Sequence, residues 1–257
     1  MRRMGIGLQL YTLRNETAED FRGTLRKVAE LGYEGVEFAG YGGIPAEEMK
    51  SLLEELGLKA IGAHVGLHLL REDLQKEIGY LKAIGAKYMI CPYVMPEERG
   101  NPETWKRLYT FLEEVGAEAR KQGLIFGYHN HDFEFTERVG DSSVFDAMYA
   151  ATTPEAVQVE MDVCWVQFAG EDPLVYIPKY AGRLPLLHLK DYDKDEEGKM
   201  LTLELGKGVV DLPAVIEAAS GAGAEWLIVE QDNCQIPPLE SVANSYQWVK
   251  HNYLNRF

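Results

Sequence analysis

Short apolar runs recur along this chain, each entered from a glycine and each ending on a residue able to bind a metal or move a proton. Five are read directly, at 32–37, 57–64, 85–91, 123–129 and 223–230, ending on Glu37, His64, Cys91, His129 and Glu230. A glycine just past a helix tolerates the left-handed backbone that stops it, so each unit reads as helix, stop, buried strand and reactive tip. Two further runs, VQVEMD at 157–162 and PLLHLKD at 185–191, lie between the fourth and fifth units, and IGLQLY at 6–11 supplies a first strand. Eight strands alternating with helical sequence in 257 residues predict an α/β chain folded as a (β/α)8 TIM barrel, one domain over 1–257, with its chemistry where the strands end.

The intervening helices have their own signals. Thr17 with Asp20 resembles a capping box opening a helix through Phe21, Leu25 and Val28 to Gly32, and Pro45 opens the next, with Met49, Leu52, Leu53 and Leu56 on one face. Others are expected at about 71–84, 103–122, 142–151, 172–181, 211–221 and 238–254, the penultimate one with Asp211 as N-cap and Pro213 in its first turn. Two stretches read as long loops on the functional side, 92–101 and 192–208. Within the second, Gly206-Lys207-Gly208 offers backbone N–H groups to a phosphate or forms a simple turn.

Composition changes this picture little: 46% hydrophobic and 26% charged residues suit a compact globular chain. Charge narrows it. A net charge of −15 repels phosphate backbones and anionic membranes, so neither nucleic acid nor a membrane is an expected partner. The start of the chain is too polar for a signal peptide, and no run approaches the roughly 18 apolar residues of a membrane span. Cys91, Cys164 and Cys234 form no paired framework, which points to a reducing cytoplasm.

Side chains alternate faces along a strand, so each run splits into two sets. The apolar sets, such as Val157, Val159 and Met161, belong against the helices. The polar sets then face inward: Gly7, Gln9 and Tyr11 on the first strand, Glu37, Gly62 and His64 on the next two, Gly127, His129 and His131 on the fifth, Gln158, Glu160 and Asp162 on the sixth, His188 and Lys190 on the seventh, and Ile228, Glu230 and Asp232 on the eighth. Buried charges must neutralise, pair or share a cation. Asp162, His188 and Glu230 are therefore expected to hold one divalent metal, with His129 or His131 completing the set, and mixed nitrogen and oxygen ligation suits Mn²⁺, Zn²⁺, Co²⁺ or Fe²⁺ better than Ca²⁺. Each residue also has a purely structural reading: Asp162 as a helix cap, His188 as a core histidine, Glu230 as a partner of Lys190, and Lys190 as a rim lysine facing Asp191 or Asp193. His68 and His251 sit in helical contexts and are expected to face solvent.

The segments YHNHDFEF at 128–135, MDVCW at 161–165, HLKD at 188–191 and VEQD at 229–232, with LQLYTLR at 8–14, resemble the sugar phosphate isomerase/epimerase family. That xylose-isomerase-like barrel group also includes ketose 3-epimerases, inosose dehydratases and endonuclease IV. The resemblance runs along the whole chain in the right strand order. It implies one divalent ion, Mn, Zn, Co, Fe or Mg, on Asp162, His188, Glu230 and a strand-five residue. The family places a glutamate there, whereas this chain has His129, with His131 and Glu134 nearby.

The function it implies is isomerisation or epimerisation of a sugar by proton abstraction next to a carbonyl through an enediolate. Glu230 or a strand-five histidine, His131 among them, is the expected base, and Lys190 is expected to neutralise developing charge. Glu37, His64, Glu134 and Trp165 are the expected substrate contacts, and Tyr11, Phe38, Tyr41, Phe133 and Trp165 the aromatics available at the mouth. The rival outcome is dehydration of a keto-sugar or keto-cyclitol, closer to the inosose dehydratases. An endonuclease IV-like DNA hydrolase and a non-catalytic sugar-binding barrel complete the alternatives; the expected partner is a small sugar or cyclitol substrate, with the chain acting as a monomer or a homo-oligomer.

Overall fold

The apolar runs form strands because their β-branched and aromatic residues are buried on both faces, as parallel strands covered by helices require. In the computed structural model, which describes residues 2–257, eight parallel strands close into a barrel. They are β1 (Gly5–Gln9), β2 (Gly35–Phe38), β3 (Lys59–His64), β4 (Tyr88–Cys91), β5 (Ile125–His129), β6 (Gln158–Asp162), β7 (Leu186–Leu189) and β8 (Trp226–Val229). Neighbours round the cylinder follow chain order, and β8 closes on β1 with Gly5 opposite Trp226 and Leu8 opposite Val229.

Two apolar layers hold the cylinder. The larger packs the outward strand faces, Val36, Met89, Val159 and Leu187 among them, against the ring of helices. A small inner cluster of Ile61, Tyr88, Ile90, Leu186 and Ile228 fills the barrel below the site. Gly62 makes that filling possible, because a Cβ there would stand 2.6 Å from the Tyr88 carbonyl oxygen. The five unit glycines, Gly32, Gly57, Gly85, Gly123 and Gly223, all have positive φ, as the stop signal requires.

Several elements differ from expectation. β1 ends at Gln9, where the Gln9 side chain accepts from the Tyr11 backbone N–H and turns the chain into the short helix Leu10–Leu13. Tyr11 is consequently 43% exposed at the mouth and does not point into the barrel. The following helix opens at Arg14 and not at Thr17; Asp20 has non-helical angles inside it and accepts from the Gly23 N–H, capping a second segment. Asp73 repeats this device within Leu67–Ala83 by accepting from Lys76 N–H. A short helix, Val163–Phe168, follows β6 immediately because Asp162 caps it. The stretch after β7 is an antiparallel ribbon, Asp191–Lys194 with Met200–Leu203, and not an open loop. Asp191 anchors that ribbon by accepting from the N–H groups of Gly206, Gly208 and Val210. The glycine turn is thus filled by a carboxylate of the chain itself. Asp211 caps Leu212–Ala222 by accepting from Ala214 N–H, as its position predicts. Among the described residues no helix is long and apolar enough to cross a membrane.

Candidate metal centre and active site

The inward alternation raises a column of polar side chains above the inner apolar cluster, and their contacts sort them into two tiers. The floor contains Gln9, Glu37, His64 and Glu160, from β1, β2, β3 and β6. Glu37 Oε2 accepts from Gln9 Nε2 at 2.9 Å, and His64 Nε2 lies 2.7 Å from Glu160 Oε1 and 3.2 Å from Glu37 Oε2. The upper tier contains Asp162, Glu230, Lys190 and Asp232. Lys190 Nζ lies 2.8, 2.9 and 3.0 Å from Asp162 Oδ2, Glu230 Oε2 and Asp232 Oδ2.

Two imidazoles join the tiers. His188 places Nε2 2.8 Å from Glu37 Oε2 and Nδ1 2.9 Å from Glu230 Oε2. His129 places Nδ1 3.1 Å from Glu160 Oε1 and Nε2 3.8 Å from Asp162 Oδ2. All of these groups are buried except His64, at the edge, and Asp232, near the rim. Asp162 is held rigidly, its Oδ1 accepting from Cys164 and Trp165 N–H and its backbone exchanging two hydrogen bonds with the Asn130 amide.

The charges are arranged unequally. Burial alone would push Glu37 up, but His64 and His188 hold it well below the usual carboxylate range. Burial likewise favours neutral His64 and His188, yet Glu37 and Glu160 raise His64 to about 10, and Glu160 with Glu230 raises His188 well above its ordinary value. Lys190 stays charged among its three carboxylates, and it lowers Glu230 against burial. His129 is neutral because burial and then the neighbouring His188 and His64 depress it. At Glu160 burial and Glu37 win, and at Asp162 burial outweighs Lys190, so both are raised. Five carboxylates, Glu37, Glu160, Asp162, Glu230 and Asp232, thus face three cations, His64, His188 and Lys190.

This donor set fits a divalent ion. Single donor atoms from His129, Asp162, His188 and Glu230 all lie within 4.8 Å of one another, and so do those of His64, His129, Glu160 and His188. Coordination bonds of about 2 Å require such closeness. Buried Asp162 Oδ2 has Lys190 nearby but no hydrogen bond, and Glu160 Oε2 and Glu37 Oε1 have no partner at all. The surplus of carboxylate and the unpartnered oxygens are both what a dication relieves.

Among the expected site residues, His129, Asp162, His188, Glu230, Lys190, Glu37 and His64 meet here. Glu37 and His64 lie in the floor beneath His188 and not at a substrate-facing rim. Lys190 is wholly buried and faces Asp162, Glu230 and Asp232, not Asp191 or Asp193. His131 lies beyond the end of β5, its ring 5.1 Å from that of His129 and 5.2 Å from that of Trp165, outside both four-donor groups. Its Nδ1 is buried without a partner, and burial followed by Lys190 lowers the ring to about 3. Trp165 faces Lys190 as well, 5.8 Å from ring to Nζ, so His131, Trp165 and Lys190 lie side by side above the polar column.

Glu134 is a correction. It sits on the short helix Phe133–Thr136, accepts from Tyr128 Oη at 2.5 Å and from His131 N–H at 2.7 Å, and is wholly buried. Tyr128 has the outward parity of β5, so Glu134 is turned away from the metal candidates and is not a fourth ligand. Phe38 and Tyr41 are also displaced: Phe38 stacks on Phe21 in the outer layer, and Tyr41 donates to Glu77. Glu160 was passed over as a site residue although its parity puts it on the face of Asp162; two residues deeper in the barrel, it gives no sequence sign that three imidazoles converge on it. His68 and His251 face solvent.

The model of the xylose isomerase-like TIM barrel family matches residues 25–251. The chain belongs to this family. Relatives within reach include an inosose dehydratase of Lacticaseibacillus casei, 26% identical, with 86% of this chain and 85% of that protein covered. A sugar phosphate isomerase/epimerase structure from Parabacteroides distasonis is 27% identical and superposes with a TM-score of 0.77, covering 96% of this chain and 98% of that one. The structure of the IolI protein with a bound zinc atom shares the xylose isomerase-like fold at a TM-score of 0.79, 14% identity and 99% coverage of both chains.

Proposed function

We propose that the chain is a divalent-metal-dependent enzyme that removes a proton next to the carbonyl of a sugar or cyclitol and returns it at another carbon or face, an isomerase or epimerase. One observation carries this reading: the donor atoms of His129, Asp162, His188 and Glu230 converge within 4.8 Å at the strand ends of a rigid barrel. These four would hold the ion, and two imidazoles with two carboxylates suit Mn²⁺, Zn²⁺, Co²⁺ or Fe²⁺ better than the oxygen-seeking Mg²⁺. When bound, such an ion supplies a Lewis acid that polarises a carbonyl and steadies the negative charge left by the departing proton.

The protein's own groups do the rest. Glu230 is held as a carboxylate by Lys190 and His188, so it is available to accept a proton. His131 offers a neutral imidazole with an unpartnered Nδ1 beside Trp165, a second station for the same proton. Lys190 brings fixed positive charge to the place where an enediolate oxygen develops, and the Trp165 face gives the C–H surface of a sugar an apolar platform. The likeness to the sugar phosphate isomerase/epimerase of P. distasonis supports this reading.

Dehydration of a keto-cyclitol is the second reading, favoured by one observation. His129 stands at the strand-five position of a family glutamate, so the pair of opposed carboxylates suited to symmetrical proton exchange is missing. A carboxylate and an imidazole form an unequal pair, in which the neutral imidazole of His131 can take the proton beside the carbonyl and, once protonated, hand it to the leaving hydroxyl. The L. casei dehydratase supports it. Incubation with Mn²⁺ in deuterated water with ketoses, keto-cyclitols and 3-keto-glycosides, followed by NMR, separates the two. Deuterium entering the C–H beside the carbonyl without loss of water is the expected result. An unsaturated product moves the assignment to the lyase, and no exchange with any carbonyl compound overturns both.

A further inference from the structure

The lower tier of the site holds more carboxylate than a four-donor cation site uses. Glu160 Oε1 lies 2.7 Å from His64 Nε2, 3.1 Å from His129 Nδ1 and 3.1 Å from His188 Nε2, while Oε2 is buried without a partner. Any proton on this carboxyl belongs on Oε2, because an Oε1 ringed by three imidazole nitrogens serves as the acceptor for all of them. The ring nitrogens facing Glu160 are therefore the ones that carry hydrogen. His129 has Nδ1–H directed down, leaving the Nε2 lone pair on the side of Asp162 Oδ2. His188 has Nε2–H directed down, where Glu37 Oε2 also accepts at 2.8 Å, leaving Nδ1 on the side of Glu230.

We infer that Glu160 is a positioning residue: it selects the tautomer of the neutral His129 and, together with Glu37, holds the Nε2–H of His188, so that each ring turns its other nitrogen, the one available to a cation, toward Asp162 and Glu230. The inference deepens the proposed function and rests on reading those four residues as metal ligands, but the tautomer of His129 is a property of the metal-free protein. His64 completes the floor as the cation between Glu37 and Glu160, which allows two buried carboxylates to lie side by side. A carboxylate behind a ligating imidazole fixes the ring and increases its basicity, and losing one typically costs about 10–100-fold in metal affinity.

The test uses protein labelled with ¹⁵N-histidine and stripped of metal. Long-range ¹H–¹⁵N spectra should show His129 as the Nδ1–H tautomer, and Glu160→Gln should shift it toward Nε2–H or a mixture. Zn²⁺ affinity of that variant, measured by competition with a chelator, should fall about 10–100-fold. An Nε2–H tautomer in the wild type, or a tautomer unmoved by the substitution, overturns the inference. So does binding of two Zn²⁺ per wild-type chain with one lost in Glu160→Gln, because Glu160 is then itself a ligand beside His64. If the wild type binds no Zn²⁺ while His129 has the stated tautomer, the metal reading fails and the assignment of Glu160 stands. If Glu160→Gln does not fold, the wild-type tautomer still decides, and Glu37→Gln should weaken Zn²⁺ binding while leaving His129 as Nδ1–H; a His129 shift in that variant counts against the inference.

Discussion

Glu134 shows how a single side chain near a site takes on a structural task. Burial raises its carboxyl to about 8, against the hydrogen bonds from Tyr128 and the His131 backbone that favour the charged form. A folded-state value above the unfolded one means that the native state holds the proton more tightly. The stabilising contribution is complete below the unfolded value of about 4.5 and is lost as pH rises through about 8, at up to roughly 1.4 kcal/mol per pH unit in that window. In Glu134→Gln the amide oxygen can still accept from His131 N–H and the NH₂ can donate to Tyr128. Chemical denaturation at pH 5 and pH 8.5 should therefore show the wild type losing stability relative to the variant at the higher pH; equal slopes contradict this account of Glu134. The same scale explains what was legible around it. Asp162, His188 and Glu230 were readable because each lies at or near the end of a run whose parity turns it inward. Glu134 misled because of its nearness in sequence to the place of the family glutamate; it sits on the helix Phe133–Thr136, beyond the end of β5, and bonds to the outward-facing Tyr128.

At the level of elements, close packing overrides intrinsic preference. Gly116 lies within the helix Pro102–Lys121, where alanine is normally the better helix former by about 1 kcal/mol. A Cβ at 116 would collide with the backbone carbonyl of Ala156, just before β6, so backbone would have to move. Gly116→Ala is expected to lower stability by about 1–3 kcal/mol, read as a reduced denaturation midpoint at unchanged slope; a gain in stability would show that the helix has room to shift. All eight strands were visible as apolar runs, since their burial leaves little sequence freedom. The kinks at Asp20 and Asp73 were not, because an aspartate capping a turn inside a helix has the same local composition as one on a solvated face. Nor was the ribbon Asp191–Lys194 with Met200–Leu203, since two four-residue strands flanking a polar turn carry too few apolar positions to stand out. Its anchor, Asp191, acts through contacts 15 to 19 residues away along the chain.

Over the whole molecule, the pairing of β7 with β8 brings Glu230 beside His188, and the closure of the barrel through β8 and β1 curls the sheet so that His188 also meets Glu37 on β2. Residues from seven strands or their immediate continuations meet at one place, and the surplus of buried carboxylate there makes the cation central to the account. A net charge of −15 spread over the chain also favours cations at the mouth over anions such as a nucleic acid backbone. The most direct measurement is X-ray absorption on protein stripped of metal and reloaded with Zn²⁺, together with metal analysis and the variant Asp162→Asn. The account predicts one ion per chain, a first shell with two imidazole nitrogens and carboxylate oxygen at about 2 Å, and weakened binding in the variant. Absence of tight binding, or a bound ion without histidine in its first shell, would contradict it.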